Sequence, residues 1–154
     1  MQTKYFLAVL CLFCTSIGFA QSKLFDKYAD MDDVTSVYIS KAMFQLMPQI
    51  EKVGVNLTNM KGKIESLQLV STEKQDKIAQ MKKEFVQLVS SKHQELMRVK
   101  DGNSRVNFYS DMEGDRIKEL IMLVESDDNY TALRLVGDFT IKDIQEITDN
   151  NDKE

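Results

Sequence analysis

The chain has 154 residues, 24 of them acidic and 20 basic, for a formal charge of −4. That length suits one domain with a single core, and an acidic balance without a basic, aromatic-studded stripe excludes a nucleic-acid partner. One histidine and two cysteines are also too few soft ligands for a zinc centre.

Residues 1–20 (MQTKYFLAVLCLFCTSIGFA) read as a secretory signal peptide. Lys4 precedes an apolar run from Tyr5 to Phe13, and Gly18-Phe19-Ala20 supplies the small-x-small pattern for cleavage between Ala20 and Gln21. The apolar run is too short to span a hydrocarbon layer of about 30 Å, so no transmembrane span is expected in the mature form. Leu10 and Phe13 stand before Cys11 and Cys14, where lipid attachment needs a small residue. Both cysteines leave with the leader. The mature chain then offers no thiol nucleophile, disulfide framework or cysteine metal site. The expectation is an exported, periplasmic or secreted, soluble protein: one domain over 21–148 and an acidic, frayed tail over 149–154.

Leu24, Phe25 and Tyr28 predict a short amphipathic turn, broken by Asp30-Met31-Asp32-Asp33. Those aspartates superficially resemble a calcium loop. Val34 and Thr35 occupy the places where further oxygen ligands belong, which leaves at most weak, adventitious calcium binding near Asp30–Asp33. Val34–Ile39 (VTSVYI) alternates as a strand, with Thr35, Val37 and Ile39 on one face. Ser40 is placed to cap a helix along which Met43, Met47 and Ile50 align, and Pro48 obscures its end. Residues 53–63 read as a connection. Ile64–Val70 is a second strand, with Leu67 and Leu69 on one face.

Thr72-Glu73-Lys74-Gln75 fits a capping box. Ile78, Met81, Phe85 and Leu88 then form a helical stripe that should cover one face of a sheet. From Glu95 to Val136 come four β-rich runs, separated by Asp101-Gly102-Asn103, Met112-Glu113-Gly114-Asp115 and Ser126-Asp127-Asp128-Asn129. Connections this short allow only antiparallel hairpins. Met97 and Val99, Val106 and Phe108, Ile121 and Leu123, and Leu133 and Leu135 are expected on the helix-covered face. Leu120–Val124 is apolar on both faces, so its back is either core under a second layer or a contact surface. Leu120, Met122 and Val124 are therefore the candidate interaction residues. A last helix capped by Thr140 and Asp143, with Ile141, Ile144 and Ile147 aligned, is the expected cover. The fold class is α+β, a mainly antiparallel sheet in the order β-α-β-α-β-β-β-β-α with helices packed on it.

No catalytic constellation is evident. His93, beside Lys92 at a helix end, is expected in solvent, and no serine lies in a glycine elbow that it could serve. The turn positions of Glu113, Asp115, Asp127 and Asp128 account for those carboxylates. The eight methionines left after cleavage are read as core filler, the sharper option being a methionine-lined groove. No catalytic residue, cofactor or metal is therefore assigned.

The segment FDKYADMDDVTSVYISKAMFQLMP (Phe25–Pro48) resembles the opening of the family called domain of unknown function 4252. IESLQLVST, HQELMRVKDGNSRVNFY, IKELIMLV and LVGDFTIKDIQEI extend the resemblance over nearly the whole mature chain. It implies a small exported protein of Bacteroides-type Gram-negative bacteria, often encoded near extracytoplasmic-function sigma factors, with no catalytic residues to carry over. The expected function is a non-catalytic binding or interaction module of the bacterial envelope, in an envelope-stress or sigma-factor-linked locus, whose partner is an envelope protein or peptide. The alternative is a periplasmic sensor for a small apolar or amphipathic ligand.

Overall fold

The computed structural model describes residues 18–46, 62–90, 92–143 and 145. Along them lie α1 (Gly18–Ala29), β1 (Thr35–Ser40), α2 (Lys41–Leu46), β2 (Ile64–Thr72), α3 (Gln75–Ser90), β3 (Gln94–Asp101), β4 (Ser104–Glu113), β5 (Arg116–Glu125) and β6 (Tyr130–Thr140). A helical turn follows at 141–143. The fold is α+β. All six strands join one sheet in the order β1-β2-β6-β5-β4-β3, and every pairing is antiparallel. The four-strand meander is present as the turn residues predict. Gly102 and Gly114, at φ 58° and 65°, supply the left-handed residues that two of its hairpins need.

An α-helix, α1, opens the described chain where only a turn was anticipated. Twelve residues are marginal as an isolated helix, and packing supplies the difference. Phe25 and Tyr28 are fully buried, their rings 4.9 and 5.6 Å from that of Phe85 on α3. On α3, Ile78, Met81, Phe85 and Val89 face the sheet and meet Val70, Ile121, Leu123, Tyr130 and Ala132. Lys82 and Lys83 point to solvent, as expected. The expected capping box does not form. The Thr72 hydroxyl donates to the Asp33 carbonyl and accepts from the Lys74 N–H, while the Gln75 amide donates to the Asp127 carbonyl. These bonds tie the start of α3 to two neighbouring loops.

Register corrects the expected division of faces. Phe108 and Leu133 both stand opposite Met122, and Leu135 stands opposite Leu120. They are thus one residue out of step with Ile121 and Leu123, and one residue moves a side chain to the other face. Of the four expected pairs, only Ile121 and Leu123 lie under α1 and α3. Met97, Val99, Val106, Phe108, Leu133 and Leu135 line the far face. There Phe44 of α2 packs with Ile64, Leu67, Ile117, Leu120, Leu135 and Phe139 in a second buried cluster.

The Ser40 cap is present, its hydroxyl accepting from the Met43 N–H at 3.4 Å. Met43 itself is half exposed, and Phe44 takes the buried place. At the other end the Thr140 N–H donates to Asp143 Oδ2 (2.7 Å) and the Asp143 N–H donates to the Thr140 hydroxyl (3.3 Å). Ile141 is exposed and does not cover the far face. Residues 1–17 of the expected leader, Met47, Pro48, Ile50, residues 53–61 of the expected connection, Ile144, Ile147 and the tail 149–154 lie outside the described residues. Ala20 and Gln21 fall in the first turn of α1. Among the described residues no helix is long and apolar enough to cross a membrane.

Candidate interaction surface

Successive cross-strand partners place one row of side chains across all six strands of the far face: Val37, Leu69, Leu133, Met122, Phe108 and Met97. The row is apolar throughout. Its ends are open, with Val37 42% and Met97 49% exposed, and its four central members are half-buried. The structure therefore divides the three sequence candidates. Leu120, 7% exposed, belongs to the buried cluster under Phe44. Met122 sits in the middle of the open row. Val124, also half-buried, lies in the next row between Val106 and Thr131. On this face β5 is therefore core at Leu120 and half-buried at Met122.

A groove of about 300 Å³ lies on the helix face, where α1 leaves the edge of the sheet uncovered. Ser22, Phe25 and Asp26 of α1 form one wall, and Ser36, Tyr38, Gln68 and Val70 the other. Its lining contains no methionine. Met81 is fully buried in the core and Met97 is on the opposite face.

Behind that groove runs a polar chain that sequence reasoning missed. His93 is not in solvent: its side chain is 0% exposed, and Nε2 lies 2.7 Å from Glu119 Oε2. The other oxygen of Glu119 accepts from Arg134 Nε. Arg134 Nη1 donates to Gln68 Oε1 (2.9 Å), and Gln68 Nε2 donates to Asp26 at the groove wall (3.2 Å). Burial alone would push the Glu119 carboxyl up. Hydrogen bonds from His93 and Arg134, with the guanidinium charge, override it and hold the carboxyl below the usual carboxylate range. An ionised Glu119 accepts only, so His93 Nε2 carries the proton. His93 Nδ1 has no hydrogen-bond partner among the described residues. The arrangement orients buried side chains and ties the connection after α3 to β5, β6, β2 and α1. A sequence signal for it existed: His93 continues the α3 stripe four residues after Val89, whose carbonyl accepts its N–H at 3.2 Å.

Asp30, Asp32 and Asp33 are exposed, and no group of three His, Cys, Asp or Glu side chains among the described residues converges as a metal site would. A family model described as "Domain of unknown function (DUF4252)" matches residues 28–147. No curated protein and no solved structure matches the chain.

Proposed function

The chain belongs to that family of unknown function, its match running from Tyr28 past the end of β6, and on that premise we propose a non-catalytic interaction module. It is exported to the bacterial envelope and engages an envelope protein or peptide through the far face of its sheet, within an envelope-stress or sigma-factor-linked locus. The observation that carries the reading is the open apolar row from Val37 to Met97. A contiguous apolar strip, exposed at its ends and half-buried between them, suits a protein contact, and half-buried Met122 and Phe108 at its centre are large side chains that serve as anchors.

The test separates the two roles of β5. Met122→Asp is expected to stay folded by circular dichroism and to lose capture of the partner that the unmodified protein retains from crosslinked envelopes. Leu120→Asp is expected to unfold, because it buries a charge beside Phe44. A folded Met122→Asp protein that captures the same partner as strongly as the unmodified one would overturn the reading.

A further inference from the structure

The geometry points to a second copy of this chain as the occupant of the open edge of β1. The two β1 strands pair antiparallel about a two-fold axis, and each Tyr38 enters the groove between α1 and β1 of the other copy.

The two edges of the sheet are built differently. β3 (QELMRVKD) carries Glu95, Arg98, Lys100 and Asp101, the charges by which edge strands resist pairing. β1 (TSVYIS) carries none and no proline, and Thr35, Ser36, Val37 and Tyr38 are all exposed. Among the described residues its one neighbour is β2, and its other side presents backbone N–H and C=O groups that no described strand pairs. A strand of this composition invites a second strand.

Symmetry then narrows the register to those that set a residue opposite its own copy, and the groove beside Ser36 favours Val37 as the centre. A two-fold axis perpendicular to the sheet keeps each face on its own side, so residues of one face meet residues of the same face. With Val37 opposite Val37 of the partner subunit, Ser36 stands opposite Tyr38 of the partner subunit. Tyr38 is 66% exposed on the helix face, and Ser36 lines the groove there. The small serine leaves the mouth open for an aromatic ring. Phe25 and Val70 suit that ring, and Ser22 and the Asp26 carboxylate suit its hydroxyl. On the far face the same register sets Val37 beside its counterpart. The two apolar rows then run on as one band across twelve strands. The dimer stands on the edge, the tyrosine and the groove, independently of any partner for the far face.

Sedimentation of the purified protein over a micromolar concentration series tests this. The unmodified chain is expected to be a dimer. Val37→Lys, which places on β1 the kind of charge that guards β3, is expected to sediment as a monomer with unchanged circular dichroism. Tyr38→Ala is expected to weaken the dimer by about tenfold or more, and Val99→Lys on the opposite edge to leave it intact. Should Val37→Lys lose its fold, Thr35→Lys at the exposed start of β1 takes its place with the same two outcomes. A monomer at every concentration, or a dimer indifferent to the β1 lysine, overturns the inference. Either result leaves the far-face reading to its own test with Met122→Asp.

Discussion

At the scale of single residues, Glu119 joins two partners that the sequence keeps far apart, 26 residues before it and 15 after. It is buried between His93 and Arg134 and held ionised by both. Its carboxyl lies lower in the folded chain than in the unfolded one. The stabilisation is therefore fully present above the unfolded value and is lost as pH falls through the folded one. Asp143 acts in the same direction, its carboxyl lowered chiefly by the hydrogen bond from Lys63. Urea midpoints are accordingly expected to lose nothing through these two groups from neutral pH down to the ordinary carboxylate range of about 4–4.5 and to fall as the pH is taken lower, and Glu119→Gln should show a shallower fall. At neutral pH that substitution leaves the Arg134 guanidinium without a counter-charge and is expected to cost about 3–5 kcal/mol, measured by chemical unfolding. Little of this was legible beforehand. His93 looked like a helix-end residue because Lys92 stands beside it, and nothing in the local pattern announces a carboxylate 26 residues later in the chain.

Elements were more legible than their faces. Turn glycines and β-branched runs delimit β3 to β6, and the stripe on α3 points at the sheet as the 3.6-residue period requires. Phe85→Ala, at the centre of that stripe and of the aromatic cluster, is expected to destabilise by about 3–5 kcal/mol, read from thermal or urea unfolding. Alternation, however, fixes which residues of a strand share a face and not which face meets the helices. That choice is made by pairing register, and shifts at Glu95/Met97, Asp111/Met112 and Ile117/Glu119 move it between strands. Local caps were equally divided. Thr140 and Asp143 form the expected reciprocal pair, whereas Thr72 and Gln75 reach across to other loops. One strand glycine has a purely tertiary reason. A methyl group on Gly137 would lie 2.2 Å from the Lys63 carbonyl oxygen, which already accepts the Asp138 N–H at 2.8 Å. Gly137→Ala is therefore expected to destabilise by about 1–3 kcal/mol and to loosen the β2–β6 junction, seen as faster amide exchange at Asp138.

For the whole molecule, strand order sets where stability is concentrated. β6 and β5 are central, paired on both sides and packed under α1 and α3, while β1 and β3 are edges. Amides of Ile121 and Ala132 are expected to exchange only on global unfolding, and those of β3, almost wholly exposed, much sooner. A uniform pattern in exchange measured by NMR would contradict this. The same order has a bearing on biosynthesis. β2 and β5 do not pair with each other; β6 lies between them, pairing Thr72 with Tyr130 on one side and Glu125 with Tyr130 on the other. While the ribosome is still making residues before Tyr130, the growing chain holds two fragments with no strand pairing in common, β1 with β2 and β3 to β5. β6, the last of the six described strands, is the one that knits them, so the sheet stays unfinished until residues 130–140 have been synthesised. A nonsense codon between Glu125 and Tyr130 would release a product in which the edges of β2 and β5 that β6 covers are both bare, in place of a weakened version of the fold.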